Sequence, residues 1–125
     1  MPAAPPPGPP DIKEQRSLID QWAAFATSLE RGYTFDLDNW LNDVDIRQLI
    51  REAEPMFGPA DLARHVLKLE EADKIFRLTT RDIGKCVWGK KAARREKWTT
   101  AKNWWYFRSP LRSNAELEEG LSKVK

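Results

Sequence analysis

From Asp11 to Thr80 the apolar residues return every three or four positions, in three runs separated by glycine and proline. That period belongs to the α-helix, so the pattern predicts a mainly α fold, a small helical domain of three main helices. The first run holds Ile12, Leu18, Ile19, Trp22, Phe25, Ala26 and Leu29. Asp11 precedes it as an N-cap, Glu14 sits three residues on as in a capping box, and Gly32 follows Arg31 where helix ends favour glycine. The first predicted helix is therefore Asp11–Arg31. The second is Asp43–Glu54, capped by Asn42 or Asp43, with Ile46, Leu49 and Ile50 inward and Pro55 closing it. The third is Pro59–Thr79, opened by Gly58-Pro59, with Leu62, Val66, Leu69, Ala72 and Phe76 as its apolar row. Between the first two, Tyr33 to Leu41 reads as a structured loop that inserts Tyr33, Phe35 and Trp40 into the core. The predicted core comprises Ile19, Trp22, Phe25, Leu29, Ile46, Leu49, Ile50, Leu62, Val66, Leu69, Ile75 and Phe76.

The flanks differ. Residues 1–10 hold six of the nine prolines and no charge, which excludes helix and central strand and predicts a disordered Pro-rich tail. An uncharged start is not that of a signal peptide. The single helical domain then covers 11–125. Beyond the third helix the chain turns irregular at Arg81–Gly89, and Lys90–Lys97 has helix-forming residues without an apolar stripe. Trp104-Trp105-Tyr106-Phe107 is too short for its period to separate a strand from a helix end. On a strand, Trp105 and Phe107 would face the core, and Trp104, Tyr106 and Arg108 would face outward. Ser113 and Glu116 make another capping-box pair, predicting a last helix from Ala115 to about Lys123.

A net charge of +2 conceals a polarised chain. Residues 1–75 carry 8 Lys/Arg and 14 Asp/Glu, and residues 76–125 carry 13 and 5. The basic pole, Arg77 to Arg112, also holds four of the six tryptophans. The candidate partner-binding residues are Lys90, Lys91, Arg94, Arg95, Trp98, Trp104, Tyr106 and Arg108. Cations interleaved with flat rings suit a protein interface, where Trp, Tyr and Arg are the enriched anchors. They also suit single-stranded nucleic acid, which needs cations for phosphates and rings for bases. A third reading leaves the rings in the core and the cations simply solvated. The acidic pole centres on Asp36, Asp38, Asp43 and Asp45. It either faces its basic counterpart within the fold or meets a basic partner.

No catalytic constellation emerges. His65 is the only histidine and Cys86 the only cysteine, so neither a Cys/His zinc site nor an internal disulfide can form, and no metal or cofactor is expected. His65 reads as a partly exposed helical residue. Cys86 reads as a small buried apolar group, with a thiol activated by Lys85, Lys90 and Lys91 as the alternative. The acidic string fails as a calcium loop, because Trp40 and Leu41 stand where a small polar ligand and a glycine belong. No apolar run reaches the roughly 20 residues a membrane helix needs.

The stretch Asp38-Asn39-Trp40-Leu41-Asn42-Asp43-Val44-Asp45-Ile46-Arg47, with Trp104-Trp105-Tyr106-Phe107-Arg108-Ser109-Pro110 downstream, resembles small bacterial proteins of unassigned function. The resemblance spans about residues 33–110. It implies a compact bacterial cytoplasmic protein and carries no activity. In type the chain is also similar to antitoxin, immunity and adaptor proteins. The expectation is a non-enzymatic interaction protein that binds a macromolecule, first a protein, through one charged pole. Nucleic-acid binding by residues 77–112 is the alternative, with neither membrane nor small-molecule substrate inferred.

Overall fold

The computed structural model of the protein describes residues 11–125, so the predicted Pro-rich tail lies outside the described residues. Helix α1 spans Ile12–Ser28 and continues as a 3-10 turn, Leu29–Arg31. Asp11 caps it, its Oδ1 accepting the Glu14 amide at 2.8 Å. Gly32 ends it at φ 96°, a conformation that glycine adopts without the Cβ clash other residues incur. Helix α3, Pro59–Leu78, also lies where the sequence pattern places it, with Pro59 in the first turn. Helix α5, Ala115–Lys123, has the predicted bounds but another cap: Asn114, not Ser113, accepts the Leu117 amide.

Helix α2 departs from expectation. It runs from Leu37 to Ala53, so the loop expected over Tyr33–Leu41 is largely helix. Asp36 is the N-cap, its Oδ1 accepting the Asn39 amide at 3.1 Å and the Asn39 side chain at 2.7 Å. With that start, Trp40, Leu41, Val44, Arg47 and Ile50 form one buried row, which outweighs the alternative caps at Asn42 and Asp43. Tyr33 and Trp40 enter the core as expected, whereas Phe35 is 58% exposed.

Two predicted core positions are likewise corrected. Leu49 is 49% exposed because it lies about 200° around α2 from buried Arg47. Val66 is 42% exposed. On α3 the inward row is Leu62, His65, Leu69, Ala72 and Phe76, at alternating spacings of three and four, with Val66 beside it.

Helices α1, α2 and α3 surround an aromatic cluster. The Phe76 ring lies 4.7 Å from Trp22 and is stacked at 6.0 Å on Trp40, and Phe25 lies 5.6 Å from both tryptophans. An ion pair crosses the same core. Asp73 accepts from Arg47 Nε at 2.9 Å, from Arg47 Nη2 at 3.1 Å and from Trp22 Nε1 at 2.9 Å.

The C-terminal third packs across this layer. Strand β1, Thr80–Asp82, pairs antiparallel with β2, Arg108–Pro110, so that Arg81 faces Ser109. Between them lie a short helix α4, Lys90–Glu96, and a 3-10 turn, Trp104–Phe107. A 3-10 turn places residues three apart on one side. Trp104 and Phe107 therefore share the partly exposed side, and Trp105 and Tyr106 share the buried one. Trp105 is buried as expected. Tyr106, expected outward with Trp104, is 1% exposed: strand alternation does not apply to this turn.

Candidate functional site

The segment leading into α4 is fixed along the tryptophan turn. Ile83 and Val87 donate their amides to the carbonyls of Phe107 and Tyr106, at 2.9 and 2.8 Å. The turn Cys86–Gly89 closes with a 2.9 Å bond, and Gly89, at φ 98°, redirects the chain into α4. Ala92 is the helix's buried anchor, and the Lys90 amide donates to the Lys125 carbonyl at 2.7 Å. Lys90, Lys91, Arg94 and Arg95 are exposed, as their lack of an apolar stripe predicts.

The helix ends on Lys97 at φ 60°, a left-handed position usually given to glycine. Its amide reaches the Arg94 carbonyl, and the Trp98 amide donates to the Ala93 carbonyl at 2.9 Å, which completes a Schellman-type end. That turn sets Trp98 over Tyr106, ring centroids 4.2 Å apart. Tyr106 is itself held by Asp45, whose Oδ1 accepts its hydroxyl at 2.7 Å. Burial, with the Asp45 bond adding to it, pushes the Tyr106 hydroxyl well above its usual range.

These elements enclose a cleft of about 450 Å3. Cys86, Ala93, Trp98 and Phe107 give it an apolar floor. Lys85, Lys90, Arg94, Lys97 and Lys125 stand around it, with no acidic residue in the lining. Lys85 is held in place by the carbonyls of Leu121 and Val124, at 2.6 and 2.9 Å. Burial pushes the Cys86 thiol up, against the weaker opposing pull of the Trp88 and Gly89 amides, so it stays protonated near neutrality. At 4% exposure Cys86 lies where the reading as a small buried apolar group places it.

The structure thus gathers Lys90, Arg94 and Trp98 and separates the other predicted partner-binding residues from them. Arg95 pairs with Glu96 and lines a mixed-charge depression against Asp45, Gln48 and Glu52 on α2. Lys91 is exposed on α4 and lines neither hollow. Trp104 is half-buried beneath Arg77, whose guanidinium carbon lies 4.0 Å from its ring centroid. Arg108 turns inward: Nε donates to Thr80 Oγ1 at 2.7 Å, and Nη2 donates to the carbonyls of Arg77 and Thr80, both at 3.1 Å. Tyr106 is covered.

The acidic pole is mostly structural. Asp36 caps α2, and the Asn39 bonds hold its carboxyl below the usual range. Asp43 accepts the Tyr33 hydroxyl at 2.6 Å; burial raises its carboxyl, opposed by that bond. Asp45 binds Tyr106 and Trp88, tying the acidic segment to the basic one. Asp38 alone of the four is exposed.

Lys97, Cys86 and Phe107 belong to the cleft although sequence reasoning singled out none of them as a binding residue. The spacing Lys90, Arg94, Lys97 was the available signal, since it marks one helix face. His65 lies elsewhere, in a cavity of about 180 Å3 with Gln15, Ile19 and Leu69. Among the described residues no group of three or more His, Cys, Asp or Glu could hold a metal ion, and no helix is long and apolar enough to cross a membrane. No protein-family model, curated protein or solved structure matches this chain. The resemblance to bacterial proteins gains no support from these comparisons.

Proposed function

We propose that this chain is a non-enzymatic interaction protein that docks an acidic protein partner on the face formed by α4 and Trp98. The observation that carries the reading is the uncompensated charge there. Lys90, Lys91, Arg94 and Lys97 lie within eight consecutive residues and none forms an ion pair among the described residues, where Arg47, Lys68, Arg95 and Lys123 do. Such a field attracts an oppositely charged surface and speeds its encounter. A binding role rather than a catalytic one fits a chain whose only histidine and only cysteine lie at separate sites, the thiol protonated. The lone buried thiol suits a reducing compartment, the cytoplasm.

The test is capture at low salt by the immobilised protein, with and without nuclease, alongside the variant Lys90→Glu/Arg94→Glu/Lys97→Glu. The expected result is a nuclease-resistant protein retained by the wild type, eluted by raised salt and lost by the variant, whose circular dichroism is unchanged. Equal retention by the variant refutes the face. Retention of nucleic acid alone transfers the reading to the nucleic-acid alternative.

A further inference from the structure

We infer that the cleft beside α4 receives a bulky apolar side chain presented by an acidic segment of the partner, an inference that rests on the docking face proposed above. The floor and the rim ask for different chemistry. Cys86, Ala93, Trp98 and Phe107 offer an entering group carbon, sulfur and an aromatic ring. Water there finds few partners, so an apolar side chain gains by displacing it. The rim offers five cationic side chains and no acidic side chain, and its complement is carboxylate flanking that side chain. The volume of about 450 Å3 lies within the range of ordinary ligand sites.

The same floor argues against an unpaired base. A base seated here would bury ring nitrogens and exocyclic oxygens among groups that cannot hydrogen-bond them well. One face of Trp98 is already covered by Tyr106, which removes half of a stacking platform.

Lys97 adds an independent sign. It occupies a left-handed position at φ 60° where glycine would end the helix at lower conformational cost. Lysine at this position places a cation on the rim at some conformational cost to the turn, as strained residues at binding sites do.

The test is fluorescence anisotropy of labelled seven-residue peptides at low salt. One is Glu-Asp-Glu-Phe-Glu-Asp-Glu, the second has Ser for Phe, and a seven-nucleotide oligothymidine serves as the third probe. The Phe peptide should bind about tenfold more tightly than the Ser peptide, and more tightly than the oligonucleotide. Lys97→Gly should weaken the Phe peptide about tenfold while leaving the melting temperature equal or higher. Ala93→Glu, with its fold checked by circular dichroism, should abolish the preference for Phe. Equal binding of the two peptides overturns the cleft inference and leaves the docking face standing. Failure of both acidic peptides overturns the docking face as well. Tighter binding of oligothymidine, or a Lys97→Gly variant that binds like wild type, overturns the peptide assignment.

Discussion

Asp73→Ala is the substitution whose cost the structure specifies most fully. The carboxylate accepts three hydrogen bonds, two from Arg47 and one from Trp22, and the two charged side chains are only 10% and 16% exposed. Truncation leaves the Arg47 guanidinium enclosed without its counter-ion, 4.8 Å from the centroid of the Trp105 ring. Surface ion pairs contribute about 0–1 kcal/mol, whereas stranding one partner of a buried pair costs about 3–5 kcal/mol. Residual exposure of both groups lets water reach the charge, so the lower end applies, about 3 kcal/mol. At about 4 °C per kcal/mol for a chain of this size, the melting temperature should fall by about 12 °C. Removing the whole pair with Arg47→Met/Asp73→Leu should restore part of that loss, because it removes the stranded guanidinium, while Trp22 Nε1 still loses its acceptor at about 1–3 kcal/mol. Among the described residues Arg47 Nη1 has no hydrogen-bond partner. Thermal and urea denaturation of the wild type, Asp73→Ala and Arg47→Met/Asp73→Leu measure this directly. A loss of under about 1 kcal/mol for Asp73→Ala, or a double variant no more stable than the single one, would show that Arg47 is not stranded by losing its counter-ion.

Three further outcomes follow from the same packing. The chain has two tyrosines, Tyr33 and Tyr106, both buried, and burial with a carboxylate bond raises each above its usual pKa near 10. A raised folded-state pKa favours the neutral phenol, so their contribution is complete below pH ~10 and is lost as pH rises above it, by up to about 1.4 kcal/mol per pH unit for each ring. Tyrosinate absorbance should therefore appear together with unfolding; a normal titration near pH ~10 with the fold intact would count against both buried hydroxyls. Trp105→Ala should cost about 3–5 kcal/mol and Trp104→Ala roughly half of that, read from urea midpoints, and equal losses would contradict the facing of the 3-10 turn. Phe76→Ala, at the centre of the aromatic cluster, should also cost about 3–5 kcal/mol, and a midpoint that barely moves would show that the three-helix core is misplaced.

The site was less legible than the fold, and the difference is one of sequence range. Asp11, Gly32 and Pro59 act on their own turns through a cap bond, a positive φ or a missing amide, so the bounds of α1 and the start of α3 could be read locally. The bounds of α5 could be read too, although its capping bond falls to Asn114 and not to Ser113. Where two local signals compete, the wider packing arbitrates. Asp36 prevails over Asp43 as the cap of α2 because starting there buries Trp40 and Val44, while Asp43 is drawn to the Tyr33 hydroxyl. Burial of Tyr106 required knowing that residues 104–107 wind three to a turn, and that Asp45, 61 positions earlier, takes its hydroxyl. The basic character of α4 was plain in Lys90, Lys91, Arg94 and Arg95. That Lys90 and Arg94 flank a cleft while Lys91 and Arg95 do not was decided by the placement of Cys86, Phe107 and Lys125 around one helix end. Propensity, capping and charge act over a few residues, so α1, α3, α5 and the basic pole were legible in the sequence, while the start of α2 and the winding of residues 104–107 were not. Which cations share an apolar floor follows from tertiary packing, because that floor is assembled from residues distant in the chain.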